Sequence, residues 1–166
     1  MNGDSYDFEN YPELEVVDYP EPVYSEDVVD GKVPLQFWLD QEEIFLDTQY
    51  ATVVDGTYVI DNFMATGQKV VLVPDGETFS FEVYGTDGNK LELTTDEYGF
   101  IDLGMEYIFP WVNNYSWCIY GLSQYNDPYY TTWDEENREA WFWASYYVYD
   151  GAAFRDITNN YVGIYF

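Results

Sequence analysis

The chain has no histidine, one cysteine and only five lysines and arginines among its 166 residues, against 32 aspartates and glutamates. Each shortage closes off a class of function. Without histidine there is no Ser-His-Asp or Cys-His nucleophile system and no ordinary proton shuttle near neutral pH. The lone Cys118 cannot form an internal disulfide, and no Cys/His spacing for zinc exists, so packing alone must hold the fold. A net charge of -27 and a pI near 4.1 disfavour direct contact with nucleic acid or an anionic membrane, since both need clustered positive charge. Glycine is scattered singly at turns, which leaves no phosphate-cradling loop. No apolar run approaches the roughly 18 residues of a membrane-spanning helix. Residues Met1 to Asn10 have neither a basic start nor an apolar stretch and do not read as a signal peptide.

What is present is apolar and aromatic. Hydrophobic residues make up 47% and aromatic residues 22%, with 19 Tyr, 11 Phe and 6 Trp, too much for a disordered acidic tail. A chain of this length buries roughly 70% of its unfolded surface and defaults to one domain.

Residues 1–31 differ from the rest. They hold ten acids, no base, and three of the seven prolines, Pro12, Pro20 and Pro22. Pro-Glu-Pro at 20–22 should be extended, because each ring fixes φ and biases the residue before it away from helix. Yet Tyr6, Phe8, Tyr11, Leu14, Tyr19 and Tyr24 are distributed through the segment, which a purely solvating tail has little use for. The expected organisation is an acidic N-terminal arm over 1–31 and a single β-rich domain over 32–166. The arm either docks on a neighbouring subunit or partner through those apolar residues, or folds back on its own domain or stays loose. Removing it leaves 22 acids and five bases on the domain.

From Val33 onward, short β-prone runs are punctuated by Asp-Gly at 30–31, 55–56, 75–76, 87–88 and 150–151, a hairpin signal. Ala51 to Val54 and Thr57 to Ile60 read as one hairpin; Lys69 to Val73 and Thr78 to Tyr84 read as another across Pro74-Asp75-Gly76. Phe79, Phe81 and Val83 alternate with Thr78, Ser80 and Glu82, the period of a half-buried strand. Leu91 and Leu93 alternate with Lys90, Glu92 and Thr94 in a following run. Further strands are expected at Leu35 to Leu39, Glu43 to Asp47, Phe100 to Leu103, Glu106 to Phe109, Tyr115 to Tyr120 and Tyr161 to Phe166. Asp134 to Ala140 opens like a helical turn capped by Asp134, then runs into the β-prone stretch Trp141 to Tyr149. The fold class that results is mainly β: an antiparallel sandwich or barrel-like domain with at most one short helix.

Few residues carry specific chemistry. Paired carboxylates can hydrolyse glycosides, but 32 acids make some close pair inevitable, and no enzyme is expected. Calcium is the one cofactor worth weighing, at the loop Thr94 to Gly99 with Asp102 nearby or at Asp127 to Asp134; neither has the helix-loop calcium pattern, and solvated acids on turns are the simpler reading. Cys118 lies in an apolar strand-like run and reads as a buried small hydrophobe. Asn114-Tyr115-Ser116 is a formal glycosylation acceptor, without weight outside a secretory context. Tyr129 and Tyr130 beside Trp133 form a loop candidate for binding a partner, while most other aromatics of the last third belong to core or subunit interface.

Two functions compete. One is a non-enzymatic structural or accessory component of a larger assembly, such as a phage virion, in the virion or an extracellular assembly. It would be an oligomer or bind a protein partner by aromatic contacts and its arm. The other is an acidic nucleic-acid mimic, acting in a host cytoplasm, that occupies the basic groove of a restriction, CRISPR or repair enzyme; outward side chains on a strand recur every roughly 6.6 Å, similar to phosphates along a backbone. A low-base, high-acid composition also suits adaptation to high salt, which could accompany either.

Overall fold

The computed structural model describes residues 31–39, 44–105, 107–108, 111–112, 115–116, 118–149 and 158–166. The arm residues Tyr6, Phe8, Tyr11, Leu14, Tyr19 and Tyr24 lie outside the described residues.

The domain is mainly β, an antiparallel sheet curled into a half-barrel, with short 3₁₀ turns as its helical content among the described residues. Its strands are β1 (Val33–Leu39), β2 (Ile44–Val54), β3 (Thr57–Ile60), β4 (Val70–Asp75), β5 (Thr78–Val83), β6 (Phe100–Asp102), β7 (Tyr107–Ile108), β8 (Trp111–Val112), β9 (Tyr115–Ser116), β10 (Cys118–Tyr125), β11 (Thr131–Asp134), β12 (Glu139–Tyr149) and β13 (Thr158–Tyr165). The main sheet runs β5-β4-β3-β2-β1-β13-β12-β10-β6, with β11 also paired to β12 and β7 to β10; β8 and β9 form a separate pair. The first half is thus a local meander, and β1 joins it to the second half by pairing with β13 from the far end of the sequence.

The curl brings β11 round to β5, where the Trp133 backbone N–H donates to the Glu77 carbonyl at 2.9 Å. At this closure Tyr58, Phe79, Trp133 and Phe166 pack ring on ring, with centroids 4.7–5.6 Å apart. Deeper in, Phe37, Leu39, Phe63, Phe81, Ile119, Leu122, Phe142 and Val162 line a void of about 20 Å³. A void this small with apolar walls offers a water no polar partner and is far below the roughly 300 Å³ of a small-molecule pocket. The barrel interior is packed core.

The Asp55-Gly56 hairpin forms as the sequence implies: Val54 pairs with Thr57, and Asp55 and Gly56 sit at φ 50° and 81°, the two left-handed positions of a type I′ turn. The second hairpin is shifted by one residue. Asp75 pairs with Thr78, so Asp75 closes the strand and Gly76-Glu77 makes the turn, with Gly76 at φ 67° as the first central residue of a II′ turn requires. Phe79, Phe81 and Val83 are all buried.

Other expectations need correction. Ile44 to Asp47 and Ala51 to Val54 are parts of one continuous β2 (Ile44–Val54), because nothing between them breaks a strand, while Glu43 lies outside the described residues. Residues 91–94 form no ladder; Leu91 and Leu93 instead pack part-buried against the core from an extended connection. Asp134 caps no helix. It ends β11 and pairs with Glu139, and residues 135–138 are a tight hairpin turn with Arg138 at φ 56°. The cap chemistry survives in another role, since the Asp134 carboxylate accepts from Asn137 N at 3.0 Å and Asn137 Nδ2 at 2.8 Å. Those bonds hold its carboxyl below the usual carboxylate range.

Candidate protein-interaction face

Alternation along β12 assigns its two faces. Ala140, Phe142, Ala144 and Tyr146 point into the core, so Glu139, Trp141, Trp143, Ser145 and Tyr147 point outward. On β13 the core takes Val162 and Ile164, leaving Tyr161, Gly163 and Tyr165 outside. On β1, Leu35, Phe37 and Leu39 face in, and Gln36 and Trp38 face out. The registers then align outward residues in rows across the strands. One row is Phe45, Trp38, Gly163, Trp141 and Thr132; the next is Tyr161 and Trp143, with Tyr130 one residue before the start of β11.

The outside of this sheet is therefore an aromatic layer where a lone antiparallel barrel would carry polar side chains. Trp38 and Phe45 meet at 5.2 Å, Trp141 reaches Tyr165 at 5.7 Å, and Trp143 reaches Tyr161 at 4.9 Å. Gly163 makes room for the layer: a Cβ there would stand 2.8 Å from the Trp141 ring. The indoles use their polar edges within the layer. Trp141 Nε1 donates to Glu139 Oε1 at 3.0 Å and Trp38 Nε1 to Gln36 Oε1 at 3.3 Å, each to the residue two positions earlier on the same face. Trp38 and Tyr165, although outward, are only 6% and 4% exposed.

Exposure rises toward the 3₁₀ turn Pro128–Tyr130. Asp127 begins that turn and accepts from Tyr129 N at 2.9 Å, which fixes the two tyrosines side by side, 5.0 Å apart. Tyr129 is 81% exposed and Tyr147 36%. Tyr130 packs on Tyr125, and Tyr125 on Phe100, which extends the layer onto β10 and β6. Burial, and then the neighbouring phenols of Tyr130 and Tyr129, push the Tyr161 hydroxyl above its ordinary pKa, which ties the loop tyrosines electrostatically to the strand tyrosine.

Of the loop residues singled out in the sequence, Tyr129 and Tyr130 lie together on this surface. Trp133 does not join them. It is 3% exposed, packs between Tyr58, Phe79 and Phe166, and donates its indole N–H to Glu135 Oε1 at 2.7 Å. On a four-residue strand whose alternate positions are buried, Thr131 and Trp133 face the core, so Trp133 is a packing residue. Trp38, Phe45, Tyr161 and Tyr165 were not singled out. The signal for Tyr161 and Tyr165 was their alternation with Val162, Ile164 and Phe166.

The acids group differently. The turns at Asp55-Gly56, at Gly76-Glu77 and over 135–138 lie at one end of the curled sheet, so Asp55, Asp75, Glu77, Asp134, Glu135 and Glu136 share one rim. Glu135 also faces Tyr58, whose hydroxyl is pushed up by burial first and by that carboxylate second. The acids weighed for calcium turn back on their own loops. Asp96 accepts from the Tyr98 and Phe100 N–H groups, Asp102 from Gly104, and Asp127 from Tyr129. Among the described residues no group of three or more acidic or thiol side chains is close enough to hold a metal. Also among them, no helix is long and apolar enough to cross a membrane. Cys118 sits buried in β10, and burial pushes its thiol above the ordinary range.

Comparison with models of protein families, with curated proteins and with solved structures finds no match to this chain.

Proposed function

We propose that the protein is a non-enzymatic structural or accessory part of a larger assembly, acting through its outer aromatic face and its N-terminal segment 1–31. The observation that supports this reading is the outward set of Trp141, Trp143 and Tyr161, none of them fully buried, continuing to exposed Tyr147 and Tyr129, on a sheet whose core lies on the other face. Aromatic side chains bury large area at little entropic cost and are enriched where proteins meet. A virion or an extracellular assembly suits a chain whose charge keeps it from adsorbing to nucleic acid.

Sedimentation of material from the native source tests the reading. The chain is expected in a species far heavier than its own 19.5 kDa, and deletion of residues 1–31 is expected to release it. A chain that sediments as a monomer with or without those residues overturns the proposal.

A second reading rests on the acidic rim. Six carboxylates on the turns of one end could imitate a run of phosphates and occupy the basic groove of a nucleic-acid enzyme in a host cytoplasm. Competition with DNA for such an enzyme, abolished by moderate salt and by Glu77→Gln with Glu135→Gln and Glu136→Gln, would establish it. Absence of competition at low salt would remove it.

A further inference from the structure

We infer that the open part of the aromatic face, around Tyr129, Tyr130, Trp143 and Tyr161, receives arginine side chains of a basic protein partner rather than a second copy of this chain. This rests on the assembly reading and names the chemistry of the partner.

Three observations converge on it. First, the rings there meet edge to face, Tyr129 with Tyr130 at 85°, Tyr125 with Tyr130 at 70° and Trp143 with Tyr161 at 73°. Edge-to-face packing leaves ring faces unspent that a stacked pair, such as Tyr120 with Tyr147 at 18°, would cover. Tyrosine and tryptophan faces attract a planar cation, and guanidinium is less strongly hydrated than ammonium and stacks flat on them.

Second, the strands that carry the face supply acceptors and no cation. Neither β12 nor β13 contains Lys or Arg. Asp127 lies at one end of the patch, holding the turn, and Glu139 at the other, holding Trp141. Two of the bases are placed elsewhere: Lys90 pairs with Glu82 at 3.4 Å, and Lys69 stands over Tyr84 at 4.1 Å. The latter shows the same cation-on-ring contact inside this chain.

Third, a second copy would bring another surface of net charge -27 against the first. That repulsion has no basic patch to offset it, because the whole chain holds only five bases. A basic partner turns the same field into attraction and steering.

The test compares nona-arginine with nona-lysine peptides of equal charge, binding to the full chain at 150 mM NaCl, read by fluorescence anisotropy. Both should bind through charge alone; the arginine peptide is expected to bind about five-fold more tightly or better. Tyr129→Ala with Tyr161→Ala should bring that ratio close to one, lowering the arginine peptide's affinity several-fold more than the lysine peptide's. Tyr129→Ala alone, at a position too exposed to affect folding, should lower the ratio part of the way. Equal affinities for the two peptides, or a preference that survives the double substitution, overturn the inference. So does a homodimer of the purified chain that Tyr129→Ala dissociates. A chain that sediments in a large native particle yet shows no arginine preference refutes this inference and leaves the assembly reading standing.

Discussion

Trp133 and Phe166 stack with their centroids 4.7 Å apart and their planes 26° apart, at the place where the curled sheet closes on itself. Both rings also touch Tyr58, 5.3 Å from Trp133 and 5.6 Å from Phe166, and both are almost wholly buried. Trp133→Ala is therefore expected to cost about 3–5 kcal/mol, the range for emptying an aromatic core site. Phe166→Leu, which keeps most of the volume, should cost less. Denaturant midpoints at constant m-value measure both; a Trp133→Ala loss near zero would show that the closure does not depend on this stack.

Two glycines separate steric from conformational requirements. Gly163→Ala puts a methyl 2.8 Å from the Trp141 ring with no backbone penalty, so it should cost about 1–3 kcal/mol by overpacking and change tryptophan emission. Gly56→Ala meets nothing within 4 Å but must hold φ 81°, a strain of about 1–2 kcal/mol. It should lower stability and leave emission unchanged.

The Asp47 carboxyl is raised above the usual carboxylate range by burial, against hydrogen bonds from the Thr48 backbone and from Gln49 Nε2 at 2.7 Å. A raised folded pKa means that protonation favours the folded state. The gain is complete below the unfolded value and is lost as pH rises through the folded value. Asp47→Asn keeps an acceptor for Gln49 and removes the charge. Its melting temperature should exceed the parent's at pH 7, and the difference should shrink as pH falls through the carboxylate range. A difference that grows on acidification would contradict the sign.

Self-repulsion among 32 carboxylates with five bases is screened by salt. Raising NaCl from about 0.01 M to 0.5 M takes the Debye length from about 30 Å to a few Å, and the melting temperature should climb with it. A flat profile would show that the carboxylates are dispersed widely enough not to feel one another.

Cys118 is 4% exposed and its thiol is pushed up by burial, so both access and thiolate fraction are low. A water-soluble thiol reagent should label the native chain far more slowly than the denatured one. Rapid native labelling would place the residue elsewhere.

The meander was the legible part of the fold. Asp55-Gly56 and the alternation of Phe79, Phe81 and Val83 act through nearest neighbours and through a period of two, which any reader of the chain can see. The one-residue slip at Gly76 arose because Pro74-Asp75-Gly76 contains two turn residues in a row, and only the need for φ above zero at the first central position chooses between them. Long-range pairing was not legible. Nothing local tells β1 that its second neighbour is β13, and without that pairing the outward tryptophans cannot be seen as one surface. Tyr129 and Tyr130 could be singled out from their loop chemistry. Trp133, three positions after Tyr130, could not be separated from them until the parity of β11 was known.

The pairing of β1 between β2 and β13 also sets an order of events during synthesis. The strand Val-Pro-Leu-Gln-Phe-Trp-Leu can join β2 as soon as the first hairpins emerge, but its other edge waits for more than a hundred further residues. For that interval a strand that is buried at every position in the finished sheet is an open template for foreign strands. Closing so long a loop makes its final pairing a slow step. The half-finished chain, rather than the finished one, is where this architecture is most exposed to aggregation, and dense negative charge on the surrounding turns keeps such intermediates apart while they wait.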